Sequence, residues 1–274
     1  MPFTLISQFL GESAIGLFGA GHLGRTIAKG LLEAGLPRRS LIICHRGSEE
    51  TSRELATAGL ADLVASSEQV VDRSRILLYL VRPQNYQVIR NFDLRDDSLF
   101  ISFLAGVYLN KLPVHIPDSR RVRAITSAPD TLRQRNGIAA LYPADNPLTR
   151  EMLDSLGLSV VPLRQESDIH AFTALGPCLP IVLTYWESIG RTIDDQELLA
   201  TAKKFDLPDY RPILQWAHNV RPRQLSSKEI GRYLAQAATP DGVTDAILSA
   251  MKAGMSLSAA LQRGIERSQE LAAT

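Results

Sequence analysis

Ala14-Ile15-Gly16-Leu17-Phe18-Gly19-Ala20-Gly21-His22-Leu23-Gly24 is the stretch that decides the fold. Ala14 to Phe18 is an apolar run of strand length, followed by a G-x-G-x-x-G at Gly19, Gly21 and Gly24. Leu23, Ile27, Leu31 and Ala34 then recur at helical spacing until Gly35 stops the pattern. The glycine motif alone is weak; between a strand and a helix it reads as a dinucleotide-binding turn. Gly19 permits the tight turn, Gly21 removes a side chain where backbone must approach a pyrophosphate, and Gly24 lets the helix pack close to the strand. The helix N-terminus then offers free N–H groups and partial positive charge to phosphate.

The same alternation continues outward. Ser40 to Cys44 predicts a second strand and Glu49 to Ala58 a helix closed by Gly59. Arg75 to Val81 and Ser98 to Leu104 are almost continuously apolar, as strands covered on both faces are. Arg121 to Thr126, Gly137 to Leu141 and Leu158 to Leu163 predict further strands, with a helix over 148–156. The fold class is α/β, a doubly wound parallel sheet of the Rossmann type. From about Gln165 strand signals nearly vanish, and helices are expected over 166–191, 194–205, 209–219, 226–238 and 243–273. The expected domains are therefore 1–164, binding the dinucleotide, and 165–274, all-α.

Composition excludes several classes. The chain has 274 residues, with 30 basic against 29 acidic residues and a net charge of +1, so no charge excess marks a nucleic-acid binder. Arg120, Arg121 and Arg123 read as a solvated loop edge. Cys44 and Cys178 are far apart, without metal spacing, and the histidines are dispersed; neither a disulfide framework nor a metal site is expected, and a reducing cytoplasm is. The N-terminus lacks the pattern of a signal peptide. Ile169 to Trp186 approaches membrane-spanning length, but Gly176, Pro177 and Pro180 interrupt it; a buried, broken helix is expected rather than a membrane span.

The end of the second strand reports the cofactor. An acidic residue there would hold the ribose hydroxyls of NAD, but the segment is Cys44-His45-Arg46-Gly47-Ser48. Arg46 can pair with a 2′-phosphate, with Ser48 adding a hydroxyl, which predicts preference for NADP(H). The alternative is an exposed arginine paired with Glu49 or Glu50.

These residues resemble a known family. AIGLFGAGHLGRTIAKGLLEAG, Ala14 to Gly35, is similar to the start of pyrroline-5-carboxylate reductases, which read IGFIGAGNMG. Cys44-His45-Arg46 resembles their..NR, Val81-Arg82-Pro83-Gln84 their VKPQ, and Ile101 to Val107 their IS..AGV. Arg123 to Pro129 stands where they carry RVMPNTP, Thr173-Ala174-Leu175 with Pro180 where they carry TALSGSGP, and Pro240-Asp241-Gly242-Val243-Thr244 where they carry PGGTT. The resemblance implies a Rossmann domain, a helical domain that forms a homodimer, and hydride transfer from NAD(P)H to the C=N carbon of a cyclic imino acid, giving proline. It implies cofactor contacts at Gly19, Gly21, His22, Leu23, Gly24, His45, Arg46 and Ser48. Further contacts fall at Leu80, Arg82 and Pro83, and Ala105, Gly106 and Ser127 border the nicotinamide. Thr244 takes the place of the threonine at the substrate nitrogen, as a positioning or relaying hydroxyl; the alternative is an ordinary first-turn threonine. Substrate contacts fall on Gly176, Cys178, Leu179, Asp241, Gly242 and Val243.

Departures from the family concentrate at the substrate segments. Pro177 removes an N–H donor from a stretch that is open backbone in the family, and Cys178 and Leu179 add bulk. Asp241 replaces a glycine; it is expected to cap the helix near Val243, although a carboxylate there would repel a substrate carboxylate. Residues Phe205 to Tyr233, with Trp216, His218, Arg221 and Arg223, match only loosely, and His218 reads as a surface or interface residue. Pyrroline-5-carboxylate is the first expected substrate. Another cyclic imine of a side pathway, or a non-catalytic NADP-binding role, remains the alternative.

Overall fold

The computed structural model describes residues 3–207, 209–223 and 225–273. The chain divides into two compact units, Met1–Pro162 and Leu163–Thr274.

The first unit is built on a seven-stranded sheet: β1 (Ala14–Phe18), β2 (Leu41–Cys44), β3 (Ser74–Tyr79), β4 (Leu99–Ser102), β5 (Arg121–Thr126), β6 (Gly137–Tyr142) and β7 (Leu158–Pro162), in the order β2-β1-β3-β4-β5-β6-β7. Strands β1, β2 and β4 are buried at every residue. Successive side chains leave a strand on opposite faces, so each strand feeds two cores. Ile15, Leu17, Ile43, Ile76, Leu78 and Ile101 enter one, with helix α2 (His22–Glu33) and helix α6 (Pro147–Ser155) packed on it. Ala14, Phe18, Ile42, Leu77, Tyr79 and Phe100 enter the other, with helix α4 (Ser67–Arg73). Helix α3 (Glu49–Thr57) follows β2.

The sheet is parallel except between β5 and β6, which run antiparallel. The connection, residues 127–136, holds only the five-residue helix α5 (Pro129–Arg133). A parallel return needs a crossover of a dozen or more residues, so the chain reverses instead.

Sequence periodicity also misses helix α1 (Thr4–Leu10). It is short and no side chain of its own caps it. Glu151 on α6 does so from a distance, accepting the N–H groups of Leu5 at 3.0 Å and Ile6 at 2.7 Å. At the other end Arg75 donates to the Phe9 carbonyl at 2.6 Å and lies 4.5 Å over the Phe9 ring.

The second unit is helical: α7 (Ile169–Leu175), α8 (Leu179–Ser188), α9 (Asp195–Lys204), α10 (Tyr210–Val220), α11 (Ser227–Ala237), α12 (Val243–Lys252) and α13 (Leu257–Ala273). Two expected helices are each divided. The stretch 166–191 breaks at Gly176-Pro177-Cys178 into α7 and α8 after a 3-10 turn at Glu166–Asp168. Glu166–Ser188 passes the length and hydropathy test for a membrane span, yet 78% of its most apolar window is buried within the protein. The stretch 243–273 breaks after Ala253, where Gly254 takes φ +88°, and α12 and α13 pack as a hairpin. A Cβ at Gly264 would run into Ile247, so glycine sets their close approach. His170 and Ser268, both buried, bond at 2.9 Å and tie α7 to α13.

Replacing Glu151 by alanine leaves two N–H groups of α1 without their acceptor. Chemical denaturation is expected to show a loss of about 1–2 kcal/mol, the usual cost of a lost helix cap. An unchanged unfolding midpoint would show that Glu151 does not hold α1.

Candidate functional site

The turn from β1 to α2 assigns each glycine a different physical task. Gly19 has φ +118°, and a Cβ there would stand 2.7 Å from the Leu80 carbonyl group. The turn is pinned on both sides: Gly19 N–H donates to the Cys44 carbonyl (3.1 Å) and Leu80 N–H to the Phe18 carbonyl (2.9 Å). A Cβ on Gly24 would strike the Gly19 carbonyl oxygen, so the helix rests directly on the turn. Gly21 differs from both: a Cβ there meets nothing within 4 Å. It is the N-cap of α2, no side chain caps the helix, and its first turn has no acidic residue. Free N–H groups at an open, backbone-only helix end suit a pyrophosphate.

Two arginines brace this loop, and neither was singled out from the sequence. Arg25 donates to the Ala20 carbonyl at 2.8 Å and pairs with Glu54 on α3 at 2.7 Å. Arg133, on α5, meets His22 Nε2 at 2.8 Å and pairs with Asp130. Such contacts between distant segments carry no local sequence pattern.

Beyond β2, Arg46 is exposed and forms no ion pair among the described residues. Glu49 and Glu50 belong instead to the first turn of α3, where they favour the helix dipole. His45 Nδ1 accepts the Gly47 N–H at 3.1 Å, shaping the loop. Ser48 caps α3: its Oγ accepts the Thr51 N–H at 3.3 Å and donates to Thr51 Oγ1 at 2.8 Å. That engages the hydroxyl expected to reach a 2′-phosphate, while the Arg46 side chain stays exposed.

After β3, Leu80 forms the floor under Gly19, Arg82 is exposed, and Pro83 opens the 3-10 segment Pro83–Asn91. After β4, Ala105 is exposed and Gly106 turns at φ +71°. Arg123, only 1% exposed, donates to the Leu104 carbonyl at 3.3 Å and lies 5.4 Å over Tyr108, which fixes this turn from below. Ser127, expected beside the nicotinamide, follows β5. It is buried, and its Oγ bonds Thr131 Oγ1 at 2.7 Å and accepts the Ile138 N–H at 3.1 Å, which fastens β6.

In the helical unit the structure brings Thr244 and Cys178 together. Both are buried, and Thr244 Oγ1 donates to Cys178 Sγ at 3.3 Å. Burial pushes the Cys178 thiol up to about 11, so it stays neutral at ordinary pH. The backbone around it is closed: Gly176 N–H donates to the Phe172 carbonyl, Cys178 N–H to Thr173 and Leu179 N–H to Gly176. Pro177 has no N–H, and Leu179 is fully buried. The N–H groups of Gly176, Cys178 and Leu179, expected substrate contacts, are thus engaged within the turn.

Asp241 does not cap α12. The N-cap is Gly242, without a side-chain bond. Asp241 instead takes φ +58°, a region asparagine and aspartate tolerate, so it keeps a turn that glycine would make freely. Its N–H donates to Asp245 Oδ2 at 3.1 Å and its carbonyl accepts from Arg267 Nε at 2.8 Å. The first turn of α12, with Val243 and Thr244, thus starts at Gly242 without a side-chain cap bond, and the carboxylate of Asp245 in that turn reaches back to Asp241. His218 lies elsewhere, bonded to Asp195 at 2.9 Å on the α9–α10 side.

Comparison with known proteins adds an independent line. The family described as "NADP oxidoreductase coenzyme F420-dependent" matches residues 14–106. The pyrroline-5-carboxylate reductase of Pseudomonas aeruginosa is 25% identical over 276 residues, covering 94% of this chain and 97% of that one. Among solved structures, a pyrroline-5-carboxylate reductase from Coxiella burnetii aligns with TM-score 0.59 at 18% identity, over 96% of this chain and 100% of that one. The Plasmodium falciparum pyrroline carboxylate reductase, solved with NADP bound, aligns with TM-score 0.55 at 16% identity, over 96% and 99%.

The glycine geometry separates two variants. Gly24→Ala is expected to lower the thermal midpoint, because its Cβ must displace the Gly19 carbonyl. Gly21→Ala is expected to fold as the parent does and to weaken NADPH binding, measured by fluorescence titration, by about tenfold or more. Equal NADPH binding by Gly21→Ala and the parent would sink the phosphate-loop assignment.

Proposed function

We propose that this chain, a divergent member of the pyrroline-5-carboxylate reductase family, is an NADPH-dependent reductase of a cyclic imino acid, with pyrroline-5-carboxylate as substrate and proline as product. The observation that carries the reading is the open, uncapped glycine turn at Gly19–Gly24, in which each glycine fits its part in holding a dinucleotide. NADP(H) is favoured over NAD(H) because Arg46 stands exposed and unpaired where no carboxylate is present to hold ribose hydroxyls.

Bound NADPH supplies the hydride. The chain supplies binding and orientation. The Ala105-Gly106 turn, held by Arg123, borders the nicotinamide end. The substrate carboxylate is assigned to the N–H groups at the start of α12, since those of the Gly176–Leu179 turn are engaged. Thr244 orients the ring nitrogen. Its proton is committed to Cys178, so its oxygen offers a lone pair toward a protonated imine. Reduction leaves the electron pair of the C=N bond on nitrogen, and a substrate already protonated there needs no further acid.

A second reading rests on the closed turn and on Asp241. Pro177, the engaged N–H groups and an exposed carboxylate at Asp241 suit a cyclic imine without a carboxylate. The homodimer is proposed through the helical unit. Helix α11 carries Ile230, Tyr233 and Leu234, and no described residue of it is buried. The two buried free thiols, Cys44 and Cys178, fit a reducing cytoplasm.

NADPH oxidation with pyrroline-5-carboxylate and with 1-pyrroline, with NADH in parallel, tests the substrate. Turnover of the first supports the leading reading; turnover of 1-pyrroline alone selects the second. NADPH binding with turnover of neither would leave a cofactor-binding protein. Thr244→Ala is expected to lower kcat by about 10²-fold through misplacement, with NADPH affinity kept. Arg46→Ala should raise the Kd for NADPH about tenfold and leave NADH unchanged. For the dimer, Ile230→Asp is expected to shift the sedimentation coefficient to that of a monomer; a parent that is itself monomeric would end that proposal.

A further inference from the structure

Among the described residues, Arg133 brings a guanidinium to the glycine loop from a distant segment. It belongs to α5, more than a hundred residues along the chain, and α5 packs against α2. Its Nη1 stands 2.8 Å from Nε2 of His22, the first residue of α2, and its Nη2 pairs with Asp130 one turn back. An arginine has only donors, so His22 must accept through Nε2 and carry its proton on Nδ1. The guanidinium is thus fixed from two directions, while its side chain remains 53% exposed.

The loop beneath it lacks charge of its own. A helix N-terminus contributes only about half a positive charge, whereas a pyrophosphate carries close to two negative charges. Arg25, the other nearby arginine, is bound to Glu54 and the Ala20 carbonyl and is only 15% exposed, so it faces the protein and not the loop opening. A planar fork matches two phosphate oxygens at once, as an ammonium does not.

We propose that Arg133, seated by His22 and Asp130, closes over the α2 N-terminus as a clamp on the cofactor's pyrophosphate. His22 then acts as a positioning residue for Arg133. The inference rests on the dinucleotide-binding reading, and it divides the labour between two arginines. Arg46 reads the 2′-phosphate and decides between NADPH and NADH. Arg133 takes the part common to both.

That division gives the test. NADPH, NADH and adenosine 2′-monophosphate, which carries the 2′-phosphate without a pyrophosphate, are titrated into the full chain and into Arg133→Ala, Arg133→Lys and Arg46→Ala. Arg133→Ala is expected to weaken NADPH and NADH alike, about tenfold each, and to leave adenosine 2′-monophosphate unchanged. Arg133→Lys should fall between it and the parent, since lysine keeps the charge without the fork. Arg46→Ala should show the reverse pattern: NADPH and the monophosphate weakened, NADH kept. Dinucleotide binding by Arg133→Ala at parental strength would overturn the clamp, as would a parallel loss of the monophosphate, which marks a mere link between α5 and α2. A parent that binds neither dinucleotide would overturn the reductase reading together with it.

Discussion

The first unit is organised around one backbone contact: the Gly24 Cα laid against the Gly19 carbonyl. With no side chain between them, α2 descends onto the turn that follows β1, and its N-terminus ends at the carboxyl edge of the sheet. The strand order β2-β1-β3-β4 then aligns the other loops on the same edge. Residues 45–48, 80–83 and 104–106 follow three parallel strands and open on that edge, where the strand order reverses between β1 and β3. In open α/β sheets that crevice is where ligands bind. The bracing side chains serve the same geometry: Arg25 holds Ala20, Arg123 holds Leu104, and Leu80 closes the floor.

What was legible in the sequence follows from which contacts are local. Strands β1 to β4 announce themselves because burial on both faces demands unbroken apolar runs, as in Leu41–Cys44 and Leu99–Ser102. The glycine turn is legible because each glycine does something that no other residue can. Helix α1 was not legible: its cap is Glu151, supplied from the far side of the unit, and Thr4–Leu10 is too short to show a period. The reversal at β6 was missed because its cause is a length, that of residues 127–136, rather than a composition. The break between α12 and α13 rests on Gly254 and Met255, within a pattern that otherwise runs on at helical spacing.

The candidate site was legible at the level of position and less so at the level of role. Ser48 and Ser127 lie in the expected loops, yet their hydroxyls are taken by Thr51 and by Thr131 with Ile138. A hydroxyl has one proton, and the nearest geometrically fit acceptor claims it. Arginines behave differently. With five donors and a long stem, Arg46 stays exposed while Arg25, Arg123 and Arg133 each reach a carbonyl, a ring or an imidazole across sequence distance. The guanidinium groups, more than the hydroxyls, tie the glycine turn to its surroundings.

The segments 176–179 and 240–244 are held in different ways, and the difference is informative. At Asp241 the backbone takes φ +58°, a glycine-like turn, and α12 begins at Gly242 without a side-chain cap. At Gly176–Leu179 the backbone itself is closed, its N–H groups turned inward or removed by Pro177. Thr244 sits in the first turn of α12, tied to a neutral thiol that burial holds protonated. A hydroxyl whose donor is occupied and whose acceptor is free favours a protonated nitrogen over a carbonyl oxygen. On that preference the proposed reading favours an imine over a ketone.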